Sequence, residues 1–223
     1  MNLKEHVLEE LELHEYFVRD ALQCLLHTIL FVRAPGSLRP RESHCENFGL
    51  SFARCGARDV DVAVDRALEE FWRSLRPAGP DLSKGWIAVS FFMRRVKKSF
   101  GLFLKEEKVV WEQWVIPVLV NTSPRPTEDD ETSVLARGRL QEMAISLVQG
   151  RMLDILNSVN ECIDHVPPVG TEYEFEVRER LVACLPACLP ACLPACGGRW
   201  VFCNKIATLR HLRFPVGYLL YVQ

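Results

Sequence analysis

At 223 residues the chain is long enough for one sizeable core and short for two ordinary domains, and its 48% hydrophobic and 25% charged residues exclude a disordered chain. A formal net charge of −2 gives no footprint for a nucleic-acid backbone, and the one basic cluster, Arg94, Arg95, Lys97 and Lys98, reads as a solvated loop flank. No nucleic-acid partner and no transmembrane segment are expected: Arg19, Asp20, Gln23 and His27 interrupt the greasiest early stretch, and Met1 to His6 lacks the basic-then-apolar order of a signal peptide.

From Leu3 to Leu13 apolar residues (Val7, Leu11, Leu13) alternate imperfectly with Glu5, Glu9 and Glu12, which reads as a first strand, with a helix as the alternative. From Tyr16 to Phe31 the period becomes helical through Val18, Ala21, Leu22, Leu25 and Ile29, and Leu26 and Leu30 widen the apolar face until the helix must be central and buried. Ala34-Pro35-Gly36 and Arg39-Pro40 stop it. Phe48 to Ala53 is a short strand, and Asp61 to Leu75 a second helix with Asp59 or Asp61 as its cap. Pro77, Gly79 and Pro80 end that helix.

Trp86 to Arg95, with Ile87, Val89, Phe91 and Met93 on one face, and Val109 to Val120 form a hairpin whose tip is Phe100 to Leu104. Trp111 and Trp114, an odd number of residues apart, are predicted to point to opposite faces. Asn121 to Asp130 is a solvated linker, and a long amphipathic helix starting near Ser133 carries Leu140, Ala144, Leu147, Val148, Met152, Ile155 and Val159. After the proline-fixed turn Asp164 to Gly170, Tyr173, Phe175 and Val177 alternate as one more strand. Beyond Arg180 the unit Ala-Cys-Leu-Pro recurs in tandem, which no regular helix or strand accommodates. The organisation expected is one domain over 1–180 and a low-complexity Cys/Pro-repeat tail over 181–223.

Of nine cysteines, five (Cys184, Cys188, Cys192, Cys196 and Cys203) crowd into the tail region, and Cys24, Cys45, Cys55 and Cys162 are scattered, the pattern of a reduced cytoplasmic chain. Catalytic residues, cofactor and metal are all expected to be none. No phosphate loop, nucleotide fingerprint or hydrolase elbow is present, and Asp164-His165 lacks a nucleophile and reads as a structural turn. His27 reads as a hydrogen-bonded core histidine, and with Cys24 supplies two potential ligands where zinc needs three. A metal- or redox-binding protein using the Cys-rich tail is the alternative class.

The feature that points to a partner is the apolar tip, Phe100-Gly101-Leu102-Phe103-Leu104, bounded by Lys97-Lys98 and by Lys105 to Lys108. Large apolar side chains in a surface connection either fold back onto the core or are offered to another molecule. Docking is the reading favoured here.

The block Val18 to Phe31, then Leu38-Arg39-Pro40, Cys55-Gly56, Trp111-Glu112-Gln113-Trp114 and Asp164 to Pro168, in that order, resembles the autophagy-related protein 101 family, particularly its plant and protist forms, over about residues 3 to 177. The resemblance implies an α+β, HORMA-like fold with central helices packed on a mainly antiparallel sheet and no catalytic activity. It further implies pairing with the HORMA domain of autophagy-related protein 13, and recruitment of downstream factors to the phagophore assembly site by a hairpin finger. On that resemblance the two finger positions are Leu102 and Phe103, with Leu102 where the family carries tryptophan; Phe100 of the apolar tip joins them as a partner-binding residue, and the dimer interface includes Val32 and Arg33, where relatives often carry His-Arg. A HORMA adaptor of another pathway is the nearest alternative.

Overall fold

The computed structural model describes residues 3–34, 39–99, 103–168 and 171–179, with side chains described over the same residues except 97–99, 103–105 and 179. The Cys/Pro repeat and the expected boundary at 180 lie outside the described residues. In chain order the elements are β1 (Lys4–Val7), β2 (Leu11–His14), α1 (Glu15–Val32), β3 (Arg41–Cys45), β4 (Leu50–Arg54), α2 (Arg58–Ser74), β5 (Arg76–Gly79), β6 (Leu82–Ser99), β7 (Phe103–Asn121), α3 (Glu131–Glu161) and β8 (Glu174–Glu179).

The antiparallel pair β6–β7 is the spine of the sheet; β1 and β2 add to the far edge of β7, and β5 and β8 to that of β6. All of these pairings are antiparallel except those of β1 and β2, which run parallel to β7. The expected single first strand is two because its register slips. Val7 pairs with Val115 but Leu11 with Val118, so the chain spends an extra residue between them and reverses its facing. Val7 is therefore 63% exposed while Leu11 is fully buried.

Ile87, Val89, Phe91 and Met93 are all buried on one face of β6, as the alternation predicts. Gly85 extends that face under α2: a Cβ there would stand 2.7 Å from Phe71 Cε2 and 2.8 Å from Leu75 Cδ2, so glycine sets how closely the helix approaches the sheet. The core joins this face to α1, whose residues from Phe17 to Leu30 include eleven that are buried. Each large apolar side chain so removed from water contributes roughly 1.5–3 kcal/mol before the entropy of ordering is counted.

His14 caps α1. Its Nδ1 accepts from the Tyr16 N–H at 3.2 Å, so Nε2 carries the proton and donates to Ser123 O at 3.0 Å, tying the helix start to the segment after β7. In α2 the N-cap is Ala57, without a side-chain hydrogen bond, whereas Asp59 and Asp61 lie inside the first turn, where they favour the helix dipole instead of capping it. Asp130 caps α3 through the Ser133 N–H at 3.4 Å. Only Ala144, Val148 and Ile155 of this helix are buried; Leu140, Leu147, Met152 and Val159 pack half-buried beside them. No described helix is long and apolar enough to cross a membrane.

Candidate functional site

Two regions stand out, one projecting from the fold and one inside it. β8 pairs with β6 as far as Phe92↔Glu174, and β1 with β7 as far as Lys4↔Glu112. Beyond that line β6 and β7 continue as a two-stranded ribbon from Met93↔Val109 to Ser99↔Phe103, seven pairs or about 20 Å of strand. Its base is fastened down. Arg94 forks onto both oxygens of Glu174 at 2.8 and 3.2 Å, and Lys108 pairs with Glu176 and lies 3.8 Å from the centre of the Phe92 ring. A two-stranded ribbon with little cover is marginal alone, so these contacts to β8 hold its direction.

The expected finger is thus only partly a loop. Phe103 and Leu104 belong to β7, with Phe103 opposite Ser99. Phe100 and Leu102 lie outside the described residues, as do the side chains of Phe103 and Leu104.

The second region is a buried polar hub where the end of α1, β1, β7 and the turn after α3 meet. Its centre is Glu112, fully buried between two tryptophans. Arg33 Nε donates to both Glu112 oxygens at 3.0 Å, Trp114 Nε1 donates to Oε1, and His165 Nε2 lies 2.5 Å from Oε2. These contacts occupy the lone-pair directions of the carboxylate and offset the cost of burying its charge. Arg33 also donates to Cys162 O at 3.2 Å, and Tyr173 OH donates to Arg33 O at 2.7 Å. The hub therefore ties the whole segment after α3 to the sheet.

A β-bulge builds it. Phe91 pairs with Glu112 but Phe92 with Val110, leaving Trp111 as the extra residue of β7. Consecutive side chains then share one face: the Trp111 ring lies 5.8 Å from that of His165, which also contacts Glu112. The opposite-face expectation for Trp111 and Trp114 fails for this reason; both rings are buried on the hub side, Trp114 stacked at 4.1 Å on His6. Burial lowers the pKa of His6, against an opposing pull from Glu112, and raises that of the Tyr173 phenol. His6, Glu112 and His165 each offer a potential ligand atom within 4.8 Å of the others.

Of the expected interface residues, Val32 is half-buried and Arg33 is 7% exposed with its guanidinium turned inward. Asp164 does not pair with His165, whose partner is Glu112, 53 residues away. His27 is a core histidine, but neither ring nitrogen has a hydrogen-bond partner; Nε2 is 3.8 Å from Asp61. Sequence reasoning missed His6, Glu112 and Tyr173. The one local signal was an acid set between two tryptophans in the largely apolar stretch from Val109 to Val120 of β7.

The family model for autophagy-related protein 101 matches residues 10–173. The autophagy-related protein 101 of Arabidopsis thaliana is 31% identical over 192 residues, covering 79% of this chain and 87% of the relative. Those of Xenopus tropicalis and Homo sapiens are each 26% identical, over 162 residues (67% of this chain, 72% of the relative) and 133 residues (54% and 59%). An α+β body of helices on a largely antiparallel sheet, built around Trp-Glu-Gln-Trp, agrees with those matches, and the chain belongs to the autophagy-related protein 101 family of non-catalytic, HORMA-like adaptors.

Proposed function

We propose that this chain acts in the cytoplasm as an adaptor that pairs with the HORMA domain of autophagy-related protein 13 and offers Phe100, Leu102 and Phe103 to downstream factors at the phagophore assembly site. The observation that carries the second half is the ribbon. Seven strand pairs, with no third strand beside them among the described residues, extend from a base clamped by Arg94 and Lys108, which suits presentation of a tip away from the body.

The first half is supported by the outward side of α3. Leu135 and Leu153, 54% and 60% exposed, lie about five turns apart on one side of the helix, with Met143 68% exposed nearby. Buried Ala144 is about two and a half turns from either leucine, on the opposite side. An apolar face turned to water suits a partner surface. Val32 at the end of α1 adds to that interface in this reading, and Arg33 supports it from beneath.

The test is the pair Leu102→Ala/Phe103→Ala. Unchanged cooperative unfolding with loss of downstream-factor recruitment supports docking through the finger; loss of the folded state assigns these residues to the core.

A further inference from the structure

We infer that His6, Glu112 and His165 form a site for one divalent transition-metal ion of the zinc type. The three come from β1, β7 and the turn after α3, and their candidate ligand atoms lie within 4.8 Å of one another. Two imidazoles and one carboxylate are a nitrogen–oxygen set that suits Zn²⁺.

A second observation points to a ligand. His6 is nine-tenths buried, yet its Nε2 has no hydrogen-bond partner. Buried polar atoms rarely stay unpaired, because the lost solvation is not recovered. Coordination gives the His6 lone pair a partner.

Between His165 and Glu112 the ion takes the place of a proton. The present contact is Nε2–H donating to Oε2; on binding, the neutral imidazole changes tautomer, its one proton passing from Nε2 to Nδ1 by exchange with solvent, and the Nε2 lone pair and the carboxylate oxygen both face the metal. His165, 13% exposed at its side chain, is the side from which an ion enters. Arg33 remains on the opposite edge of the carboxylate and works against a second cation there, so the affinity expected is below that of a site with no arginine. The ion would staple β1 and the segment after α3 to the bulge of β7.

The test uses the full chain with Cys184, Cys188, Cys192, Cys196 and Cys203 changed to serine, which removes the tail thiols as competing ligands. After dialysis against Zn²⁺ it should retain one equivalent. His6→Phe keeps a ring stacked on Trp114 and should leave metal-free unfolding unchanged, yet weaken Zn²⁺ binding by more than the roughly 10–100-fold that losing an outer-shell partner costs. Absence of retained zinc, or equal retention by His6→Phe, overturns the assignment. If that variant does not fold, Co²⁺ loading of the five-serine chain decides: weak visible bands without sulfur charge transfer support the site, and intense near-ultraviolet sulfur bands refute it.

Discussion

Arg33 and Glu112, 79 residues apart, meet with the arginine Nε equidistant at 3.0 Å from both carboxylate oxygens, the acid fully buried. Removing one member strands the other charge in a dry site, so Arg33→Met or Glu112→Gln should each cost about 3–5 kcal/mol. The double variant should cost clearly less than the two combined, because neither charge remains. Urea unfolding of the four chains measures this coupling.

His27 makes stability depend on pH. Burial, with Arg54 adding repulsion, lowers its pKa to about 4, whereas an unfolded histidine titrates near 6.5. Between those values the unfolded chain binds more protons, so stability falls as pH drops from about 6.5 to about 4. His27→Leu should flatten this window by on the order of 3 kcal/mol. Denaturant midpoints at pH 7 and pH 4.5 for both chains read it directly.

The helix–sheet spacing at Gly85 has no slack. Gly85→Ala places a methyl group against Phe71 and Leu75 and should destabilise by about 1–3 kcal/mol. Adding Leu75→Ala should recover part of that loss, since the second change makes room for the first. Thermal unfolding of the single and double variants tests both statements.

Thiol reactivity should divide along burial. Cys24, Cys45 and Cys55 are buried, and burial pushes their thiol pKa values up, that of Cys55 to about 11, so little thiolate forms at neutral pH. Cys162 is partly exposed. Brief alkylation of the native chain followed by peptide mapping should label Cys162 and leave the other three unmodified; labelling of Cys24 without denaturant would contradict this packing.

The helices were legible because their apolar period is long and regular. β3, Arg-Glu-Ser-His-Cys, and β5, Arg-Pro-Ala-Gly, were not: the first shows no apolar alternation, and the second is an exposed edge written in turn residues. The ribbon past Arg95 was also hidden, since the run Lys105 to Lys108 shows no apolar alternation to mark a strand. The hub escaped for another reason. Its members come from positions 6, 33, 112, 165 and 173, and a bulge at Trp111 reverses the facing that simple alternation assigns.

Mixing the purified chain with the HORMA domain of autophagy-related protein 13 and reading the mass by light scattering after gel filtration tests the adaptor account most directly. A one-to-one complex that survives Leu102→Ala/Phe103→Ala and is lost with Leu135→Glu/Leu153→Glu is the predicted result. A folded chain that elutes alone at micromolar concentration would contradict it.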